Sequence, residues 1–276
     1  MNPLNHNAVI ATALICVTIV FVAWMLLGFP IPFRTAGNEL LQGDSNVGDL
    51  SNEQTPANPT ITIYATPNAI RREGITTITA ESNVPYGRIH AEIHYRGTNV
   101  WWSIGYYTLG ANGMLQATGA IDNFAGEFDL RATLVVSGVQ SNIAPLTVYG
   151  IALYQQKINW LVGETYTAML TGTYRNWRIF LFIKNASSTT WSYVTSGFTD
   201  NIGMVPYGQN TALITPDQAG TTKNLIAIVS ATDASGTDVD NTLIEAYQGQ
   251  VPNSVIDNME GAGYIVKSNI LTVSVT

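Results

Sequence analysis

The side chains of this sequence whose types could do chemistry fall into a few short clusters. His90, Glu92 and His94 alternate with Ile89, Ala91 and Ile93. On a strand this spacing puts His, Glu and His on one face and the aliphatic set on the other. Imidazoles so placed can ligate zinc or copper. His90 and His94 would nevertheless stand about 13 Å apart along the strand, too far to share one ion easily. Arg88 and Arg96 flank the same face, and a solvated, charge-alternating surface is the expectation there. Asp233, Asp238 and Asp240 gather with Glu245 in DASGTDVDNTLIE, oxygen ligands of the kind calcium takes. The EF-hand order fails, because the glycine and the terminal glutamate fall in the wrong places. A solvated turn is expected, with calcium as the alternative and no other cofactor. Asn185-Ala-Ser187 is a glycosylation sequon. No G-x-S-x-G elbow lies near any of the three histidines, and no Gly-rich phosphate loop runs from a strand into a helix. The one cysteine, Cys16, sits in an apolar run, so no disulfide can close within the chain. The expectation is a protein that is not an enzyme.

The elements that would carry these residues are strands. From Thr60 on, short alternating or continuous apolar runs are broken by Gly, Pro, Asn and Ser every 8–12 residues or so, the signal of an all-β sandwich or barrel. Charged residues are only 11% of the 276 and the formal net charge is −7, which argues against nucleic acid as a partner. In the run from Arg178 to Lys184, alternation puts Phe180 and Phe182 where His90 and Glu92 stand. With Ile179, Leu181 and Ile183 facing the core, both phenylalanines would point outward. They are the interface candidates, to be buried by a long excursion, another module or a neighbouring chain.

The chain also repeats itself. ITIYATPNAI from Ile61 matches IALYQQKINW from Ile151, REGITTITAESNVPYGRIHAEIHY from Arg72 matches LVGETYTAMLTGTYRNWRIFLFIK from Leu161, and AGEFDLRATLVVSG from Ala125 matches AGTTKNLIAIVSAT from Ala219. Both copies close on one phrase, QSNIAPLTVYG and KSNILTVSVT. The A-G-x-x…L-x-A segment and the final alternating strand resemble tandem immunoglobulin-like sandwiches of prokaryotic and viral surface proteins. The resemblance implies two such sandwiches, at residues 60–150 and 151–276, joined without a spacer into a stiff pair. The second copy carries a long insertion at about 233–265, read as a structureless excursion and as the candidate recognition surface for glycan or protein.

Ahead of them, residues 8–29 (AVIATALICVTIVFVAWMLLGF) hold no charge. As a helix within residues 1–33, passing through Ala8, Ile15, Phe21, Trp24 and Phe29, they span roughly 33 Å, enough to cross a bilayer core about 30 Å thick. The run is too long for a signal peptide, and no Lys or Arg precedes it, so an uncleaved anchor is expected. The segment AVIATALICVTIVF also resembles the N-terminal helix of archaeal type IV pilins, which implies a filament core as the alternative seat. Residues 34–59 form a polar tether of about 25–30 Å if flexible. The expected partners are therefore a lipid bilayer or the helices of neighbouring copies, in a homo-oligomer or larger surface assembly with the body outside the cell or on a virion.

Overall fold

A computed structural model describes residues 56–121, 124–154, 158–167, 169–205, 213–214, 216 and 218–276. The expected helix with Ala8, Ile15, Phe21, Trp24 and Phe29, and nearly all of the tether, lie outside the described residues. Among the described residues no helix is long and apolar enough to cross a membrane.

The first half is β1 (Ile61–Thr66), β2 (Ala69–Arg71), β3 (Ile75–Ser82), β4 (Arg88–Tyr95), β5 (Trp101–Thr108), β6 (Met114–Ala120), β7 (Gly126–Leu134) and β8 (Ala144–Tyr149). They form a three-stranded sheet ordered β1-β3-β6 and a five-stranded sheet ordered β2-β8-β7-β4-β5. Strict alternation decides which face is buried. On β4 the side chains of Ile89, Ala91, Ile93 and Tyr95 go inward, and on β7 those of Phe128, Leu130, Ala132 and Leu134. All of these but Ala91 meet Ile61 and Ile63 of the opposite sheet in one apolar cluster. Each buried Ile, Leu or Phe among them contributes about 1.5–3 kcal/mol by leaving water.

The second half repeats the plan with β9 (Ile151–Tyr154), β10 (Asn159–Trp160), β11 (Tyr166–Thr167), β12 (Met169–Gly172), β13 (Arg178–Asn185), β14 (Thr190–Phe198), β15 (Leu213–Ile214), β16 (Thr221–Ser230), β17 (Gln250–Pro252), β18 (Ile265–Lys267) and β19 (Leu271–Val275). Its main sheet runs β10-β19-β16-β13-β14-β17, with β18 also on β16. Here β16 loses its alternation: Leu225, Ile226, Ala227, Ile228 and Val229 are all buried. A strand buried on both faces reads as a continuous apolar run, and the second covering layer is the insertion.

That insertion is not the structureless excursion the sequence suggested. It holds a helical turn at Thr237–Val239, a π-helical segment Asp240–Glu245, the strand β17, and a helix Asn253–Gly261. Val239, Leu243, Val251 and Ile256 from these elements pack with Phe180, Phe182, Trp191, Ile226 and Ile228 in a separate apolar cluster. Loop chemistry alone would leave that outer face wet, and the elements form because it is apolar.

The repeated Ser-Asn phrase has a physical purpose. The Asn142 amide accepts from the Ile63 backbone N–H and donates to its C=O, both at 2.9 Å. Asn269 does the same to Leu153, at 2.9 and 3.1 Å. Ser141 and Ser268 hold the loop in place, each accepting at 2.9 Å from a core strand, at Ala132 and Ala227. One amide thereby satisfies both backbone groups of one edge-strand residue in each half.

The halves meet at Gly150, between β8 and β9. Its amide lies 3.2 Å from Thr173 Oγ1, and the Thr173 N–H donates to its carbonyl at 3.0 Å. The Tyr95 hydroxyl crosses the junction, 3.1 Å from the Gly172 carbonyl and 3.0 Å from that of Ile202. Arg175 pairs with Glu127 at 2.6 Å. Gly126, at φ 139°, is required here because a Cβ would run into the Tyr95 ring.

Candidate interaction surface

The same strand pair occurs once in each half, and its outer face carries the sequence candidates. In the first, β4 pairs with β5 and its register shifts between Ala91 and Glu92. In the second, β13 pairs with β14 and shifts between Leu181 and Phe182. Position by position, His90 matches Phe180, Glu92 matches Phe182, and Trp101 matches Trp191. On the third strand Thr133 and Arg131 match Ile228 and Ile226.

In the first half this face is polar and laced together. The His90 ring stacks on Tyr106 at 4.6 Å, with Nε2 2.8 Å from Ser103 Oγ. Arg131 forks onto Glu92 at 2.7 and 3.2 Å and lies 4.1 Å over the Trp101 ring. His94 stacks on Trp101 at 5.0 Å. Its Nε2 stands 2.6 Å from the Thr98 carbonyl, which can only accept, so the proton sits on Nε2. Its Nδ1 faces Asp129 Oδ2 at 3.5 Å, and Asp129 also takes Arg96 at 2.7 Å. His90, Glu92 and His94 therefore each engage their own neighbours rather than one centre. Among the described residues no group of three or more His, Cys, Asp or Glu is placed to hold a metal ion.

In the second half the same face is apolar and covered. Phe180 and Phe182 are fully buried. Of the covers expected for them, the insertion of their own half supplies one, through Val239, Leu243, Val251 and Ile256. Arg178 lies 4.8 Å over Phe180 and pairs with Asp240 at 2.8 Å. Gly236, at φ 68°, lets the insertion approach, since a Cβ there would sit 2.7 Å from the Phe180 ring.

The aspartates of the insertion diverge. Asp233 accepts from the Ser235 amide and hydroxyl and from the Thr237 N–H, at 2.9, 2.7 and 2.9 Å. The Ser235 hydroxyl above all holds its carboxyl below the usual carboxylate range. Asp238 takes the Ser230 hydroxyl at 2.7 Å, while Asp240 serves Arg178. In this arrangement the three aspartates take turn-capping and ion-pairing roles. Asn185 is exposed at the end of β13, at the head of the turn closed by the Ser188 N–H to the Asn185 carbonyl, 2.9 Å.

No known protein family matches the chain, and no curated protein sequence matches it. Solved structures do align with it. The Yersinia pseudotuberculosis adhesin InvE is 15% identical over 61% of this chain and 55% of its own, with a TM-score of 0.27. A tetra-tandem repeat from the extending region of a large adhesion protein is 11% identical over 64% and 47%, TM-score 0.27. Murine CEACAM1b is 12% identical over 78% and 100%, TM-score 0.23. The chain thus spans about half the length of the first two. Scores this low leave the function to the chain's own residues.

Proposed function

We propose that this chain is a non-enzymatic structural surface protein. One N-terminal membrane helix, residues 8–29, holds two tandem immunoglobulin-like sandwiches outside a cell envelope or virion, where they make assembly contacts. The observation that carries this reading is the junction. Gly150 leaves no spacer, and Tyr95 and the Arg175–Glu127 pair tie the halves together. A joint so restrained suits a stiff spacer. The insertion serves as the packing layer of its own sandwich, which weakens its reading as a glycan-binding loop. Tyr247 and Tyr264 are its exposed aromatics.

A second reading, a filament subunit with the apolar helix in a fibre core, is favoured by the likeness of residues 8–21 to pilin helices. Extraction of the native protein in mild detergent followed by negative-stain imaging separates the two. Discrete particles are expected from an anchored protein. Detergent-resistant fibres would replace the anchor with the filament.

A further inference from the structure

The second half receives the first through one set of loops. Residues 172–177 and 199–204 face the first half: Gly172 and Ile202 offer their carbonyls to Tyr95, and Arg175 meets Glu127. The Ile202 and Met204 side chains pack against the apolar cluster of the first half. The first half carries the same loops at its own corresponding end. In the second half the Asp200 N–H donates to the Met204 carbonyl at 2.7 Å, and the Asn176 N–H to the Asp200 carbonyl at 3.0 Å. In the first, the Gly110 N–H donates to the Met114 carbonyl at 2.8 Å, and the Tyr86 N–H to the Gly110 carbonyl at 3.1 Å. Asn176 and Tyr86 even share a positive φ, 55° and 57°. Residues 83–87 and 109–114 therefore repeat the seat on which the second half holds the module that precedes it.

What precedes the first half arrives at that same end. The Asn83 amide donates to the Asn58 carbonyl at 2.9 Å and accepts from the Thr60 N–H at 2.8 Å. Only residues 30–55 separate the charge-free run 8–29 from Pro56, a reach of about 25–30 Å if flexible. The chemistry of the seat differs as its neighbour does. Where a protein module precedes, the loops present Arg175 to a carboxylate. Residues 83–87, 109–114 and the adjoining turn 135–139 contain no Asp, Glu, Lys, Arg or His. Val135 ties that turn to the start of β4, its N–H donating to the Arg88 carbonyl at 2.8 Å. Tyr86, Val135 and Val136 stand out from this tip, 58%, 45% and 64% exposed.

We propose that this tip of the first half touches the bilayer, with Tyr86, Val135 and Val136 in the interfacial layer. Tyrosine suits that layer, with an apolar ring and a wet hydroxyl, and an uncharged tip enters it at little desolvation cost. The inference rests on the anchored reading. The anchor holds the tip near the lipid at an effective concentration in the millimolar range. Three side chains too few to bind a membrane by themselves are then enough to fix how the body stands on it. A second copy docked head to tail is the weaker occupant. Its far end would bring Asn185 to the place that Tyr95 fills at the junction, and with it no ring and no hydroxyl for the seat.

The test uses the full chain in phosphatidylcholine vesicles, with a nitroxide on Val136→Cys and Cys16→Ser removing the one native thiol. Electron paramagnetic resonance compares collisions of the label with oxygen, which concentrates in lipid, and with a water-soluble nickel chelate. Oxygen should dominate several-fold at 136, and nickel should dominate at Ser187→Cys, in the turn after β13 at the far end of the second half. Flotation of the same samples reads the anchor separately. Floating protein whose label at 136 is dominated by nickel would overturn the tip contact and leave the anchor standing. Low collision rates with both reagents at 136 would show a protein seated there and overturn the lipid contact. Protein that fails to float would overturn the anchor and this contact together.

Discussion

Asn142 and Asn269 perform the same task in the two halves, each saturating one edge residue through both arms of its amide. Replacing either with alanine removes two hydrogen bonds and reopens an edge strand. We expect Asn142→Ala to lower stability by about 1–3 kcal/mol in denaturant unfolding; an unchanged midpoint would deny the clamp. The repeated Ser-Asn phrase was legible in the sequence as a repetition. Its purpose was not, because the partner strand lies 79 residues away along the chain. Tyr95 makes a second residue-level prediction. Burial pushes its phenol up to about 12 from the ordinary value near 10. The folded state holds that proton more tightly than the unfolded chain does. Its contribution is therefore full below pH about 10 and is lost as pH rises through about 12, on the order of 2–3 kcal/mol. Stability measured across that window should fall, and Tyr95→Phe should flatten part of the fall. A variant with the same alkaline slope would exclude Tyr95 as its source.

β4 and β13 occupy one place in one plan, yet one shows water a polar face and the other shows an insertion an apolar one. The alternation that placed Ile89, Ala91 and Ile93 inward was readable directly, because one face of β4 is wet. Phe180 and Phe182 could be placed on the opposite face from Ile179 and Leu181, but the sequence left open what covers them. The covering elements are short, and the helix Asn253–Gly261 buries chiefly Ile256. Their order comes from packing on the sheet, which periodicity along the chain does not reveal. Phe182→Ala should accordingly cost about 3–5 kcal/mol, the range for emptying a buried aromatic site. The matching change Glu92→Ala breaks a half-buried, two-pronged pair with Arg131 and should cost less, about 1–3 kcal/mol. Chemical denaturation of both variants checks the contrast, and equal losses would mean the two faces are not differently covered. Deleting residues 238–263 should expose Phe180, Phe182, Ile226 and Ile228 together, giving aggregated protein. A soluble, cooperatively unfolding deletion variant would show that the insertion is dispensable to the fold.

Along the whole chain, a charge-free N-terminal run precedes two β-rich halves tied at their junction. The β-rich body and its internal repeat were visible in the spacing of apolar runs. The contacts that restrain the junction were not, since Tyr95, Gly172 and Ile202 are distant in sequence and meet only once both sheets have formed. The central claim is that the apolar run holds this body at a membrane. Flotation with phosphatidylcholine vesicles in a density gradient at high salt tests it most directly. The full chain should rise with the vesicles, and the same chain lacking residues 1–33 should stay at the bottom, folded. A full chain that stays at the bottom, or a truncated chain that floats equally well, would contradict the account.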